Sequence, residues 1–186
     1  MKCGLQIALI LIISTTSIVG QKLPEKENDT IIVWSKNRKL NWDDFQKSVH
    51  KETRGAQSDI GIDVLSIPIK NNRYNYVVIP YFYKLRSSVT SRKPQILKHE
   101  QLHFDIAELF ARKMRTKIKQ LNKEKFNLDK YNRSIDDIYQ KYFLYQEKFD
   151  KETGHSILIE NQHYWENKIA RELKEMESFQ FEYYNK

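Results

Sequence analysis

Cysteine is almost missing from this 186-residue chain: the only one is Cys3. It lies ahead of the apolar run 7–13, whereas a lipoprotein signal places its cysteine just after such a run, so no lipid anchor is expected. If residues 1–20 are removed on export, no cysteine remains. A disulfide framework, a thiol nucleophile and a thiolate metal site are then all excluded. Long hydrophobic runs are lacking too. The run 7–13 is too short to span a bilayer. Behind Lys2, and followed by small or polar residues down to Gly20, it reads as a secretory signal peptide cleaved near Gly20. The protein is therefore expected to be secreted or periplasmic, with no stable membrane anchor. A third absence is a concentrated basic run. The formal charge is +8, or +7 once Lys2 is gone, but the Lys and Arg residues are interleaved with 24 acidic ones. Without a zinc-finger or RRM-type signature, nucleic acid is not an expected partner, and the charge reads as a solvated basic surface.

What is present is enough for one domain. Removing 20 residues from 186 leaves 166, with Trp34, Trp42 and Trp165, eleven Tyr and nine Phe. That supports a single core without staples. Residues 21–30 are polar and read as a flexible leader, and 31–186 as the domain. Segment 31–34 suits a short strand. In 40–45, Leu40, Trp42 and Phe45 look like core anchors, with Asp43 or Asp44 capping a short helix. Two longer strands are expected at 60–69 and 73–83, joined by a tight turn at Asn71-Asn72, with Pro68 marking an edge or a strand end. A further short strand is expected at 87–90.

From Pro94 the apolar period changes from 2 to 3.6. Ile96, His99, His103, Ile106, Ala107, Phe110 and Met114 form one stripe, predicting a helix to about Lys119. Two more helices are expected, at about 134–149 and 157–176, separated by Gly154. The order predicts an α+β domain: an antiparallel or mixed N-terminal sheet and a helical C-terminal half.

The chemistry lies in His99-Glu100-Gln101-Leu102-His103. Histidines four apart place both imidazoles on one helical face, within reach of one zinc ion, and Glu100 flanks that face as a base for a metal-activated water. Both histidines lie in the apolar stripe, where unpaired ring nitrogens would be costly to bury. A catalytic zinc needs a third protein ligand. Six residues after His103, where one metal-protease class places it, stands Leu109. The candidates are His50, His155, His163, Glu160 and Asp150, with His155 best placed because the turn at Gly154 can bring it back over the metal. Asp105 faces away from the stripe and is assigned a structural hydrogen bond.

The segment 99–108, continuing to Ala111-Arg112, resembles the metal-binding helix of the DUF922 family, secreted zinc-dependent proteases of bacteria. Leu40-Asn41-Trp42-Asp43-Asp44-Phe45 resembles that family's N-terminal Leu-x-Trp-x-Asp-Phe element. Phe149 to His155 resembles its Tyr-Asp-x-Glu-Thr-x-His element, followed by Gln162 and Trp165. The similarity extends over about 32–173. Phe149 stands where the pattern has Tyr, and Ser156 where it has Gly. The resemblance implies a zincin-like peptidase with His99, His103 and His155 on Zn2+ and Glu100 as the base.

The expected activity is hydrolysis of a peptide or protein substrate, with the cell envelope as one setting, and an oxyanion donor drawn from Tyr145, Tyr164, Arg112 or a backbone amide. The strand at 73–83 is a candidate edge for pairing with an extended peptide. The alternatives are a zinc hydrolase of another amide or ester, and a non-catalytic zinc-containing binding domain.

Overall fold

A computed structural model describes residues 25–48, 55–69 and 73–181. The expected signal peptide, His50 and the Asn71-Asn72 turn lie outside these residues. The strands are β1 (Ile31–Val33), β2 (Ala56–Gln57), β3 (Ile60–Ile69), β4 (Arg73–Tyr83) and β5 (Ser88–Val89). The helices are α1 (Pro94–Leu121), α2 (Leu128–Thr153) and α3 (Ile159–Glu175). The protein is thus α+β, with an antiparallel N-terminal sheet and three C-terminal helices.

The main sheet has the order β1-β4-β3, antiparallel throughout, with Ile32 opposite Phe82 and Val64 opposite Val78. Alternation along β4 sends Val78 and Phe82 into the main core, while Ile79 and Tyr81 join Val33 in a smaller cluster on the other face. The free edge expected at 73–83 is not there from Val78 onward. β1 pairs with Tyr81, Phe82 and Tyr83, the Trp34 amide donates to the Pro80 carbonyl at 3.2 Å, and Arg115 donates to the Val78 carbonyl at 2.7 Å. β1 and β3 are the edge strands of this sheet, β3 as Pro68 suggested.

Local signals explain where elements begin and end. The short 3-10 helix Trp42–Asp44 is capped by Asn41, not by either aspartate. Asn41 Oδ1 accepts from the Asp43 amide at 2.9 Å, and Asp44 accepts from the Asn41 amide at 2.8 Å, a reciprocal capping box. α2 starts a turn and a half earlier than the apolar pattern suggests. Asn127 caps it through the Lys130 amide at 2.9 Å, and its first turns carry Tyr131, buried and stacked 4.8 Å from Tyr76. It ends at Gly154, which takes the left-handed conformation at φ 54°.

α1 lies between the sheet and the other two helices, packing on β4 and β3 on one side and on α2 and α3 on the other. Residues 104–112 are buried without interruption, so the apolar stripe is only part of its buried surface. Its polar side chains are therefore paired. Asp105 accepts from Trp34 Nε1 at 2.7 Å and from Gln101 at 2.9 Å, while Gln101 Oε1 accepts from the Leu40 amide at 2.8 Å. Asp105 thus makes the structural hydrogen bond assigned to it. Glu108, 1% exposed, accepts from Arg112 Nε at 2.8 Å and from Arg115 Nη1 at 3.0 Å. Glu108→Gln would leave two guanidinium groups short of their counter-charge. We expect it to cost about 3–5 kcal/mol in chemical denaturation, and a loss below about 1 kcal/mol would contradict this account of α1.

Candidate metal centre

The histidines of α1 meet one face of α2. Gln146, Phe149 and Asp150 are spaced three and four apart on that helix, so all three side chains reach the same neighbour. Phe149 is fully buried and stacks on the His99 ring at 4.5 Å and 21°, meeting His103 edge-on at 4.8 Å and 79°. Trp165 of α3 closes the far side of Phe149 at 5.4 Å.

Within this frame three donor atoms converge. His99 Nε2 and His103 Nε2 are 3.1 Å apart, and each is 3.0 Å from Asp150 Oδ1. His99, His103 and Asp150 are the group that could hold a metal ion among the described residues. A proton or a cation held between them would relieve the crowding of two ring nitrogens and a carboxylate oxygen. A tetrahedral zinc with bonds near 2.1 Å needs ligand edges of roughly 3.4 Å, so the three atoms need spread by only a few tenths of an ångström. The nitrogen and oxygen donor set fits zinc.

The supporting contacts differ between the histidines. Gln146 Nε2 donates to the His103 carbonyl at 3.1 Å, which turns its Oε1 toward His103 Nδ1 at 2.6 Å. The Nδ1 proton is thereby fixed and Nε2 keeps its lone pair for a metal. His99 Nδ1 is buried without a partner, so stacking on Phe149 orients that ring instead. Burial pushes the His99 pKa down. For His103 burial acts the same way, but Asp150, Glu100 and Gln146 outweigh it and raise the pKa. Burial opposes ionisation of Asp150 as well, yet the hydrogen bonds and charges of His103 and His99 hold its carboxyl far below the usual range.

Glu100, buried beside the two histidines, reaches the turn between β2 and β3. Its Oε2 accepts from the Ser58 amide at 3.1 Å and from Ser58 Oγ at 2.5 Å. His155 stands next to the triangle but outside it. Its Nδ1 is 3.4 Å from Asp150 Oδ1 and its side chain is 69% exposed. The turn that carries it has three successive left-handed residues, Gly154 at φ 54°, His155 at φ 52° and Ser156 at φ 73°. The His155 amide bonds the Asp150 carbonyl at 3.0 Å, closing this turn over the end of α2. Ser156 thus adopts a conformation that glycine takes without strain. His163 and Glu160 are exposed on α3, away from the cluster.

Two of the expected oxyanion donors are engaged elsewhere. Arg112 pairs with Glu108 and donates to the Leu173 carbonyl at 2.6 Å, and Tyr145 donates to Glu172 at 2.9 Å. Tyr164 is 62% exposed. A groove of about 760 Å³ lies on the opposite face of α1, floored by Trp34, Leu102 and Ile169, and includes none of the three donor residues. Gln146 and Ser58 are functional candidates that motif reading passed over. The spacing of Gln146 and Asp150 was a usable signal, whereas Ser58 carried none.

Two outcomes follow for metal binding. Gln146→Leu should weaken zinc affinity about 10–100-fold by freeing the His103 tautomer, measured by competition with a chelating dye. Zinc should also be released as pH falls through the histidine range near about 6.5. The raised pKa of His103 makes proton competition begin at a higher pH than for an ordinary histidine. Affinity that is flat between pH 5 and pH 8 would exclude histidine ligation.

The family described as "Bacterial protein of unknown function (DUF922)" matches residues 84–156. The match runs from Lys84, just after β4, to Ser156 in the turn after α2, so it includes His99, Glu100, His103, Gln146, Asp150 and His155 but neither the main sheet nor α3. Its description names no activity. No curated protein and no solved structure matches the chain. The two helices that carry the candidate metal site are thus the part of this chain that is similar to the DUF922 family.

Proposed function

We propose that this protein is an exported zinc-dependent peptidase with a zincin-like arrangement, in which His99, His103 and Asp150 hold the ion and Glu100 is the general base. The observation that carries the reading is the convergence of His99 Nε2, His103 Nε2 and Asp150 Oδ1 within 3.1 Å, beside a buried glutamate on the same helix. A purely structural zinc is more often closed by a fourth protein ligand and has no use for an adjacent base. His155 is the next donor in line, through its contact with Asp150, and exchanges places with it in the ligand set implied by the family resemblance.

Zinc bound there supplies a water of lowered pKa and polarises the carbonyl to be attacked. The residues do the rest. Gln146 keeps the His103 proton on Nδ1, and Phe149 seals one side of the centre from water. Glu100 accepts the proton of the attacking water and passes it to the leaving amine. A substrate strand added to the sheet would pair with the outer edge of β3, since β4 is enclosed from Val78 onward. Export fits the N-terminal segment, and among the described residues no helix is long and apolar enough to cross a membrane.

The test is digestion of a mixed peptide library by the zinc-loaded protein, read by mass spectrometry. Glu100→Gln should reduce cleavage by at least about 100-fold with zinc content unchanged. Cleavage at the wild-type rate would remove Glu100 from the mechanism, and hydrolysis of amides or esters without peptide cleavage would favour a different zinc hydrolase. Asp150→Ala should lose zinc and His155→Ala should only weaken it. The reverse result would make His155 the third ligand.

A further inference from the structure

The Glu100 carboxylate is held unevenly. Both donors of Ser58, the amide at 3.1 Å and the hydroxyl at 2.5 Å, fall on Oε2. Oε1 accepts no hydrogen bond from the described residues. Ser58 sits between β2 and β3 and is 42 residues from Glu100 in sequence, so the contact is tertiary and not a feature of the helix. Hydrogen bonds to an ionised acceptor are among the strongest a protein makes, and two on one oxygen leave the group little rotational freedom.

We propose that Ser58 is the positioning residue of the general base: it anchors Oε2 to the sheet so that Oε1 is the oxygen presented to the attacking water. This rests on the function proposed above. Three consequences follow from the chemistry. The base comes to its task already oriented, which lowers the reorganisation needed when the proton moves. The proton is received on Oε1, because both donors at Oε2 already direct hydrogens at that oxygen. The base is also referenced to a different part of the fold from the ligands: His99, His103 and Asp150 are fixed by α1 and α2, whereas Glu100 is fixed by the turn that leads into edge strand β3. A substrate lying along β3 and the base that serves it would then share one rigid support.

The probe is acetohydroxamate, which chelates zinc through its two oxygens and gives its acidic proton to a neighbouring base. Its affinity reports the placement of that base without needing the natural substrate. Binding to the zinc-loaded full chain is measured by calorimetry for wild type, Ser58→Ala, Ser58→Thr and Glu100→Gln. Ser58→Ala keeps the backbone amide and loses only the hydroxyl. The expected result is about tenfold weaker binding, with zinc content and melting temperature unchanged. Ser58→Thr should return affinity to within about twofold of wild type, because it restores the hydroxyl. Full zinc and wild-type affinity in Ser58→Ala would overturn the proposal. So would loss of zinc or of the folded state in Ser58→Ala, which would make Ser58 a structural residue. A wild-type protein that takes up no zinc would overturn the proposed function and this inference together, whereas the preceding outcomes overturn this inference alone.

Discussion

The carboxylate of Glu108 lies near the middle of the protein, and the placement of everything around the metal centre depends on its neutralisation. Arg112 and Arg115 both donate to it, and the same guanidinium groups also reach outward. Arg112 bonds the Leu173 carbonyl near the end of α3, and Arg115 bonds the Val78 carbonyl in β4 and the Phe179 carbonyl after α3. One buried acid thus ties α1 to the sheet and to the C-terminal helix at once. Burying α1 on all sides requires this, since isolated charges in the same place would be expensive. With α1 held, His99 and His103 have a fixed bed against which α2 sets Asp150.

Around that helix the centre is assembled from separate supports. α1 supplies two ring nitrogens and the glutamate, α2 supplies a carboxylate, an amide and an aromatic wall, and the turn before β3 supplies a serine. No single element carries a complete site. Packing of elements against one another is what sets the distances, and the aromatic contacts do much of that work: Phe149 touches both histidines, and Trp165 backs Phe149 while meeting Tyr145 edge-on at 5.0 Å. Such ring pairs have preferred geometries, so they fix orientation as well as bury area.

The parts of this arrangement readable in the sequence were those with short-range signals. Helical periodicity, the four-residue histidine spacing and the alternation in β3 and β4 each act within a few residues, and α1, β3, β4 and the break at Gly154 were all placed by them. The early start of α2 is hidden because its first turns are mostly polar, and Asn127 lacks the apolar run that usually follows a cap. The cap of the short 3-10 helix is ambiguous in the sequence because Asn41, Asp43 and Asp44 offer equivalent side chains within four residues, and only the backbone angles single out Asn41. Pairings between distant elements were not legible. Asp150 was one candidate among several, Gln146 was unnoticed, and Ser58 lies 42 residues from Glu100 with no motif to join them. The edge strand was misassigned for the same reason, since the strand order depends on which strand β1 joins.

The edge-on contact of Trp165 with Phe149 and the stack of Phe149 on His99 have an optical consequence. Were the candidate site to take up an ion, a shift of the His99 ring would pass through Phe149 to the indole. Trp165 emission would then report occupancy of that site in dilute solution without a label.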